Sequence, residues 1–108
     1  MARYERTFRL PISTLERKVD DAVMNSSVSV SLEESSHFSF NGVRCAIRVY
    51  ERYSFFGGNR VSMNVTMVGD NNSTKLVAVT SGGSQAVFFK INTVGEDAFH
   101  DVLREALQ

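Results

Sequence analysis

Three arginines and a tyrosine occupy even-numbered positions of one segment in the middle of the chain. Arg44, Arg48, Tyr50 and Arg52 form what we call the arginine row, because a period of two places side chains on one face of a β-strand. Guanidinium groups in a row can hold phosphate or carboxylate groups, and an aromatic ring among them suits a nucleic-acid backbone. The pattern favours a solvated sheet face over a protein interface or an anion site, and we expect the row on the open side of a sheet.

Two acidic side chains fall on the apolar side of the same segment. Glu34 and Glu51 come within one diagonal step of each other if Asn41-Gly42 forms the turn between their strands. Two carboxylates in an apolar setting can acquire different pKa values and perform general acid–base chemistry. The alternative is that the sheet extends past its helices there, or that a bulge turns the carboxylates to water. The sequence favours this alternative.

Two glycine-rich segments, residues 55–60 and 80–85, could present backbone amides to an anion. Neither opens a helix in the manner of a phosphate-binding loop, so we expect ordinary turns. Phe55 and Phe56, beside the first of these turns, either cover the end of the core or anchor a partner.

Metal and nucleophile motifs do not appear in the sequence. His37, His100 and Cys45 are too few and too badly spaced for a zinc site, and there is no nucleophile elbow or Walker loop. We expect both histidines at the surface and the cysteine as a small apolar side chain. The sequence indicates no metal and no cofactor, and it favours a protein without catalytic activity.

The first quarter of the chain predicts a strand followed by a helix. Residues 3–10 alternate between apolar and polar side chains. Ser13-Thr-Leu-Glu16 has the spacing of a capping box, and apolar residues at helical spacing continue to Asn25. Thr93-Val-Gly-Glu96 repeats the capping-box spacing and predicts a second helix at the end of the chain.

The middle of the chain predicts a β-hairpin. Asn41-Gly42 is a strong signal for a two-residue turn, since both residues tolerate the positive φ that such a turn requires. The turn pairs Phe40 with Val43, and the apolar face this creates is expected to pack against the helices. Further strands are predicted over residues 61–67, 76–80 and 86–91. The elements together predict one α+β domain over residues 1–108, with two helices packed on one face of an antiparallel sheet of five to six strands.

Charge and composition limit the partners of this domain. The 108 residues carry 12 basic and 12 acidic side chains, and the pI is near 6.7, a balance that does not favour nucleic acid or an anionic membrane. The charged first residues predict no secretory leader, and no apolar stretch of the sequence has membrane-spanning length, so we expect a cytoplasmic protein.

Three segments carry a resemblance over nearly the whole chain: Val49-Tyr-Glu-Arg-Tyr-Ser-Phe-Phe-Gly-Gly-Asn-Arg-Val61, Ala78-Val-Thr-Ser-Gly-Gly-Ser-Gln-Ala86 and Phe89-Lys-Ile-Asn92. In these segments the chain resembles a family of short bacterial proteins that form a domain of unknown function. The resemblance implies a stand-alone bacterial cytoplasmic protein and assigns no catalytic residue. In element order alone the chain is similar to the TATA-binding-protein-like fold and, more loosely, to the helix-grip lipid-binding fold, and neither analogy transfers a function.

We therefore expect a non-catalytic interaction or self-association module. Its contact surface would be the arginine row together with Phe55 and Phe56, and its partner would be a second copy of the chain or another protein. The alternative is a binder of a small apolar or amphipathic ligand held between sheet and helices.

Overall fold

The computed structural model describes residues 2–26, 29–53, 60–82 and 107. These ranges contain five strands and one helix: β1 (Ala2–Phe8), α1 (Ile12–Met24), β2 (Val30–Phe40), β3 (Val43–Tyr53), β4 (Arg60–Gly69) and β5 (Thr74–Gly82). The strands form one antiparallel sheet in the order β1-β5-β4-β3-β2. Because β1 and β2 lie at opposite edges, α1 connects the two edges of the sheet and crosses one of its faces.

The core lies between α1 and the middle of the sheet. The helix contributes four apolar side chains at helical spacing, Ile12, Leu15, Val19 and Val23, and β4 contributes four at a spacing of two, Val61, Met63, Val65 and Met67. All eight are buried, and burying a side chain of this size stabilises the folded state by about 1.5–3 kcal/mol. This layer holds the helix on the sheet and decides which sheet face is covered.

The helix begins without the capping box that the sequence predicts. Pro11 is the N-cap residue and no side chain caps the helix. The backbone N–H of Ile12 donates instead to the carbonyl of Asp70, at 3.1 Å. Ser13 lies inside the first turn, and the carboxylate of Glu16 faces the sheet, where it binds other groups. The capping-box prediction is therefore wrong, since its glutamate is used elsewhere.

The hairpin prediction is confirmed. Asn41 has a φ of 53° and Gly42 a φ of 79°, as a two-residue hairpin turn of this sequence requires. Phe40 pairs with Val43 across the turn. Turn chemistry and strand pairing agree here because both are set within a few residues of each other.

A β-bulge divides β2 into two halves. Leu32 pairs with Tyr50 and Glu34 pairs with Val49, which leaves Glu33 without a partner in the register. One extra residue exchanges the faces of the residues that follow it. The even-numbered residues of β2 therefore share the face of α1 before the bulge and occupy the opposite, open face after it.

The helix covers the opposite face of β3 from the one that the sequence predicts. Ala46, Arg48 and Tyr50 are buried under α1, whereas Cys45 and Ile47 are half-buried on the open face. The reason is the register with β4, where Tyr50 pairs with Met63 and Arg48 with Val65. Directly opposite residues share a face. Because the apolar residues of β4 lie under the helix, the even-numbered residues of β3 opposite them lie there too.

The prediction of two helices packed on one face is wrong. Over the described residues the structure is mostly an antiparallel sheet of five strands, and its one helical element, α1, packs on one of the sheet faces. The class of the fold remains α+β. The strand predicted over residues 86–91 and the second capping box at Thr93 lie outside the described residues. Leu107 is buried and belongs to the same core as α1.

Candidate functional site

A buried cluster of polar side chains joins α1 to β3. Although Arg48 is charged, it lies among core residues and is only 7% exposed. Glu16 and Asp20 reach it from α1, where a spacing of four places them on one side of the helix. Arg48 Nη2 donates to Glu16 Oε1 at 2.9 Å and to Asp20 Oδ2 at 3.3 Å, and Arg48 Nε donates to Asp20 Oδ1 at 3.2 Å. We call this group, with Tyr50 and His37, the buried polar cluster.

Tyr50 completes the inner end of the cluster. Its side chain is fully buried, and its hydroxyl donates to the carboxylate of Asp20. Burial, and after it the hydrogen bond to Asp20, raises the pKa of Tyr50 well above its usual value. Burial lowers the pKa of Arg48, but Asp20 and Glu16 outweigh that effect and the net pKa is raised. Tyr50 is therefore a neutral phenol, and Arg48 is a charged guanidinium.

His37 closes the outer end. Its Nε2 lies 2.6 Å from Glu16 Oε1 and 3.2 Å from Arg48 Nη1. A carboxylate oxygen needs a donor and a guanidinium nitrogen offers none but donors, so one nitrogen cannot satisfy both. His37 Nε2 therefore hydrogen-bonds to Glu16 when it carries the proton and accepts from Arg48 when it does not. Both helix carboxylates are thus engaged by residues of the sheet, and the cluster fastens α1 in place.

A cleft of about 200 Å³ opens beside the cluster, between the N-terminal half of α1 and the β2–β3 hairpin. Its lining residues are Ile12, Glu16, His37, Phe38, Ser39, Arg44 and Cys45. Ser39 and Arg44 face each other directly across the two strands. Neither side chain makes a hydrogen bond or ion pair within the described part of the chain. The cleft therefore has at its hairpin end two polar side chains that have no partner among the described residues.

The open face of the sheet carries an apolar patch at its hairpin end. Phe38, Phe40, Val43 and Val68 are 38–70% exposed, and we call these four residues the apolar patch. Cys45 lies between two of them, since it pairs with Phe38 on one side and Val68 on the other. Exposed apolar patches of this kind mark interaction sites more often than isolated exposed residues do.

The arginine row is not an open row. Its four members share one sheet face as predicted, but α1 covers the middle of that face and buries Arg48 and Tyr50. Arg44 is exposed at one end. Arg52 is half-buried at the other end, and burial lowers its pKa. A binding role for the two end arginines stays a prediction, whereas the two central residues belong to the buried polar cluster.

The predicted acidic pair lies on the open face. Glu51 Oε1 accepts from Arg60 Nη1 at 2.8 Å, and Glu34 Oε1 accepts from the backbone N–H of Ser35 at 3.0 Å. The two carboxylates are therefore engaged by separate partners. An acid–base role for the pair stays a prediction, and Phe55 and Phe56 lie outside the described residues.

The sequence pattern did not identify Glu16 and Asp20. The available signal was two acidic residues one helical turn apart, beside the apolar stripe of Leu15 and Val19. An arginine between core residues of a strand was the matching signal on β3. Either alone is common on protein surfaces, and the fold is needed to bring the two together.

Two further observations bear on the site. No helix in the described ranges has both the length and the hydropathy that a membrane span needs. Among the same residues, histidine, cysteine, aspartate and glutamate side chains form no group of three that could hold a metal ion. The arginine of the buried polar cluster occupies the position between its carboxylates.

Comparison with known proteins supports the resemblance that the sequence shows. A family model described as a family of unknown function, DUF6054, matches residues 1–108. No curated protein matches the chain. Since the family model spans the whole sequence, the chain belongs to the DUF6054 family.

Proposed function

We propose that the protein is a non-catalytic interaction module that self-associates through the open face of its sheet. The observation that supports this is the apolar patch. Seven large apolar side chains are exposed in the described part of the chain, and four of them are Phe38, Phe40, Val43 and Val68. They adjoin one another at one end of one face, where an aromatic pair can anchor a contact.

The size of the open face fits a second copy of the chain. Five strands of 7 to 11 residues, spaced as strands are, cover about 750 Å² in projection. A stable interface uses about 800 Å² per partner. Two such faces related by a two-fold axis would bury both patches against each other, since a two-fold contact uses the same surface on both copies.

The charge of the chain also permits this partner. The formal net charge is zero, so two copies do not repel each other through their overall fields. The apolar patch itself contains no charged side chain, and its four residues lose no ionic hydration on contact. A strongly charged partner would find no complementary group among them.

Sedimentation of the wild-type chain and of two variants tests the proposal. At about 200 µM, well above a Kd on the order of 10 µM, we expect the wild type to sediment at twice 12.1 kDa. A Phe40→Ser, Val68→Ser variant should sediment as a monomer. Leu32→Ser is the matched control, because Leu32 is similarly exposed on β2 but shares the helix-side face with Tyr50. It should remain dimeric.

Two results would overturn the proposal. A wild-type chain that is monomeric at this concentration excludes self-association as the function. A double variant that stays dimeric excludes the apolar patch as the contact surface. Both patch positions are exposed, so their substitution should leave the unfolding temperature within a few degrees of the wild type, and circular dichroism checks this.

A further inference from the structure

The turn between β2 and β3 carries an asparagine that can change its own chemistry. Asn41 and Gly42 are both exposed, and an asparagine before glycine is open to deamidation, because the next backbone nitrogen can reach its side-chain amide without meeting a side chain. We propose that Asn41 is a site of spontaneous deamidation, and that the modification weakens self-association through the apolar patch. The site stands on the geometry of the turn, whereas its effect on self-association rests on the proposed function.

The reaction needs only the chain and water. The backbone nitrogen of Gly42 bonds to Cγ of Asn41 and loses its proton, while the Cγ–Nδ2 bond breaks and ammonia leaves. Water then opens the resulting ring at one of its two carbonyl carbons. Attack at Cγ gives aspartate, and attack at the main-chain carbonyl carbon gives isoaspartate, in which the backbone runs through the former side chain. Either product carries one carboxylate more than the original chain.

The first step of the argument is the nitrogen that has to attack. Gly42 lies between β2 and β3, outside the ladder, and its backbone N–H makes no hydrogen bond within the described ranges. A nitrogen whose proton is not held by an acceptor is available for the attack. The other asparagines of these ranges can be compared with Asn41 on this point. They are Asn25, Asn64, Asn71 and Asn72.

The turn after β4 shows the contrast. Asn71 and Asn72 are exposed, as Asn41 is, but the nitrogens that would attack them are held. The backbone N–H groups of Asn72 and Ser73 donate to Asp70 Oδ1 at 2.7 and 3.0 Å. A hydrogen bond to a carboxylate is a strong one, so the proton stays on the nitrogen and the nitrogen is a poor nucleophile. Exposure alone therefore does not decide the site.

The remaining two asparagines are protected by secondary structure. Asn25 is the C-cap of α1, and the N–H of Ser26 donates to a carbonyl of the last helical turn at 3.1 Å. Asn64 precedes Val65, which lies in β4 with a paired strand on either side, so its N–H belongs to the ladder. Asn41 is therefore the one described asparagine whose following N–H is free.

The second step is the room around the turn. Ring closure rotates the peptide between Asn41 and Gly42 away from its turn conformation. A Cβ added to Gly42 would meet nothing within 4 Å, so this space is open to the rotating peptide. The turn requires positive φ at this position and therefore favours glycine, and the same glycine leaves the asparagine unprotected.

The third step is the effect on the apolar patch. The two-residue turn pairs Phe40 with Val43, and both residues belong to that patch. Isoaspartate adds one methylene group to the main chain of the turn, so it disturbs a pairing that depends on the length of the turn. Either product also places a negative charge next to Phe40 and changes the formal net charge of the chain from zero to −1. Both effects oppose the contact of two patches.

Peptide mapping of the aged wild-type chain tests the site. The folded protein is incubated at neutral pH and physiological temperature, and fragment spectra of its tryptic peptides locate the deamidated asparagines. Asn41 should react at least about tenfold faster than the other four described asparagines, since their attacking nitrogens must first break a hydrogen bond. Asp70→Ala is the matched variant, because it frees the N–H groups of Asn72 and Ser73. It should speed deamidation in that turn and leave the rate at Asn41 unchanged.

Sedimentation tests the effect. Anion exchange separates the modified chain from the unmodified chain by its extra negative charge, and both fractions are compared up to about 200 µM. We expect the Kd for self-association of the modified chain to be at least about tenfold higher. Asn41→Gly is the control, because a Gly-Gly turn also accepts positive φ and has no amide to lose. This variant should keep its charge and its self-association through the same incubation.

The site and its effect can be overturned separately. Similar rates at the five asparagines, an Asn41 that stays intact, or an Asp70→Ala variant that maps as the wild type does would overturn the site. A modified chain that self-associates as tightly as the unmodified one would overturn the effect. A fresh wild-type chain that is monomeric would overturn the proposed function and this effect with it, whereas the peptide map would still decide the site.

Discussion

Arg48 of β3 and Glu16 of α1 meet at 2.9 Å although 32 residues separate them along the chain. Each has a side chain that is about one-tenth exposed, so water solvates neither charge to a large extent. A buried charge is tolerated when it is paired and hydrogen-bonded. The contact between these two residues is therefore a condition for seating α1 on the sheet, in addition to the apolar layer around it.

Removal of the arginine should be strongly destabilising. Arg48→Ala leaves the carboxylates of Glu16 and Asp20 facing each other without a counter-charge, and breaking a buried pair in this way costs about 3–5 kcal/mol. Urea unfolding followed by circular dichroism measures the loss. Arg44→Ala, on the same strand and face but exposed, should change the free energy of unfolding by less than about 0.5 kcal/mol. Similar losses for the two variants would show that the buried polar cluster contributes nothing beyond a surface pair.

Tyr50 should make the fold sensitive to high pH. Its pKa is raised by burial and by Asp20, so the unfolded chain loses the phenolic proton first, at about pH 10. The unfolded state then binds fewer protons than the folded state, and stability falls as pH rises above about 10. Tyr50→Phe should cost about 1.5–3 kcal/mol near neutral pH, through the lost hydrogen bond to a carboxylate. Its unfolding temperature should then decline less steeply than that of the wild type above about pH 10.

Asp70 should act in the opposite direction, at low pH. Its Oδ1 accepts from the backbone N–H groups of Ser73 at 3.0 Å and Asn72 at 2.7 Å, and these bonds lower the pKa of the carboxyl. The stabilisation is complete above the unfolded pKa of about 3.9 and is lost as pH falls through the lower folded value. Asp70→Ala should lower the unfolding temperature near neutral pH, and the difference from wild type should vanish towards about pH 2. Asp21→Ala, at an exposed position of α1, serves as the control. A difference that persists in acid would assign the effect to the backbone rather than to the carboxylate.

Two glycines should respond differently to a methyl group. At Gly42 the added Cβ meets nothing within 4 Å, so the cost of Gly42→Ala comes from the positive φ of 79° and is about 1–2 kcal/mol. At Gly69 the Cβ would lie 2.3 Å from the carbonyl oxygen of Ser73, and the backbone has to move. Gly69→Ala should therefore be the more damaging change, by thermal unfolding. A chemically synthesised chain with D-alanine at position 42 should recover the wild-type stability, because that residue prefers positive φ.

Sequence patterns predicted the elements of the described region better than the faces they present. The hairpin was predicted because Asn41-Gly42 and the flanking strands carry their own information. On β3, by contrast, Ile47 and Val49 compete with Ala46 and Tyr50, and both faces appear apolar. The pairing with β4 decides between them, and a strand register is set between distant residues.

The candidate site was predictable in part. The period of two in the arginine row correctly predicted that its four residues share one face. It could not predict whether the guanidinium of Arg48 is solvated or buried beneath a helix, because a long side chain can place its charge in either environment. The carboxylates that bind it lie on another element, so no spacing on β3 could indicate them. The cleft depends on where α1 starts, which the capping box predicted incorrectly.

Glu33 has no partner in the register, so β2 can lose this residue without moving any other side chain to the opposite face of the sheet. Removal of this residue would leave Leu32 opposite Tyr50 and Glu34 opposite Val49, with every side chain on its present face. Loss or gain of a single residue between Glu34 and Phe40 would instead move every side chain between that point and the bulge to the opposite face of the sheet. A chain of this family with one residue fewer or more in β2 can therefore keep the residues of both sheet faces in place if the difference falls at the bulge. The residues before the bulge and those after it can then change in sequence independently of each other.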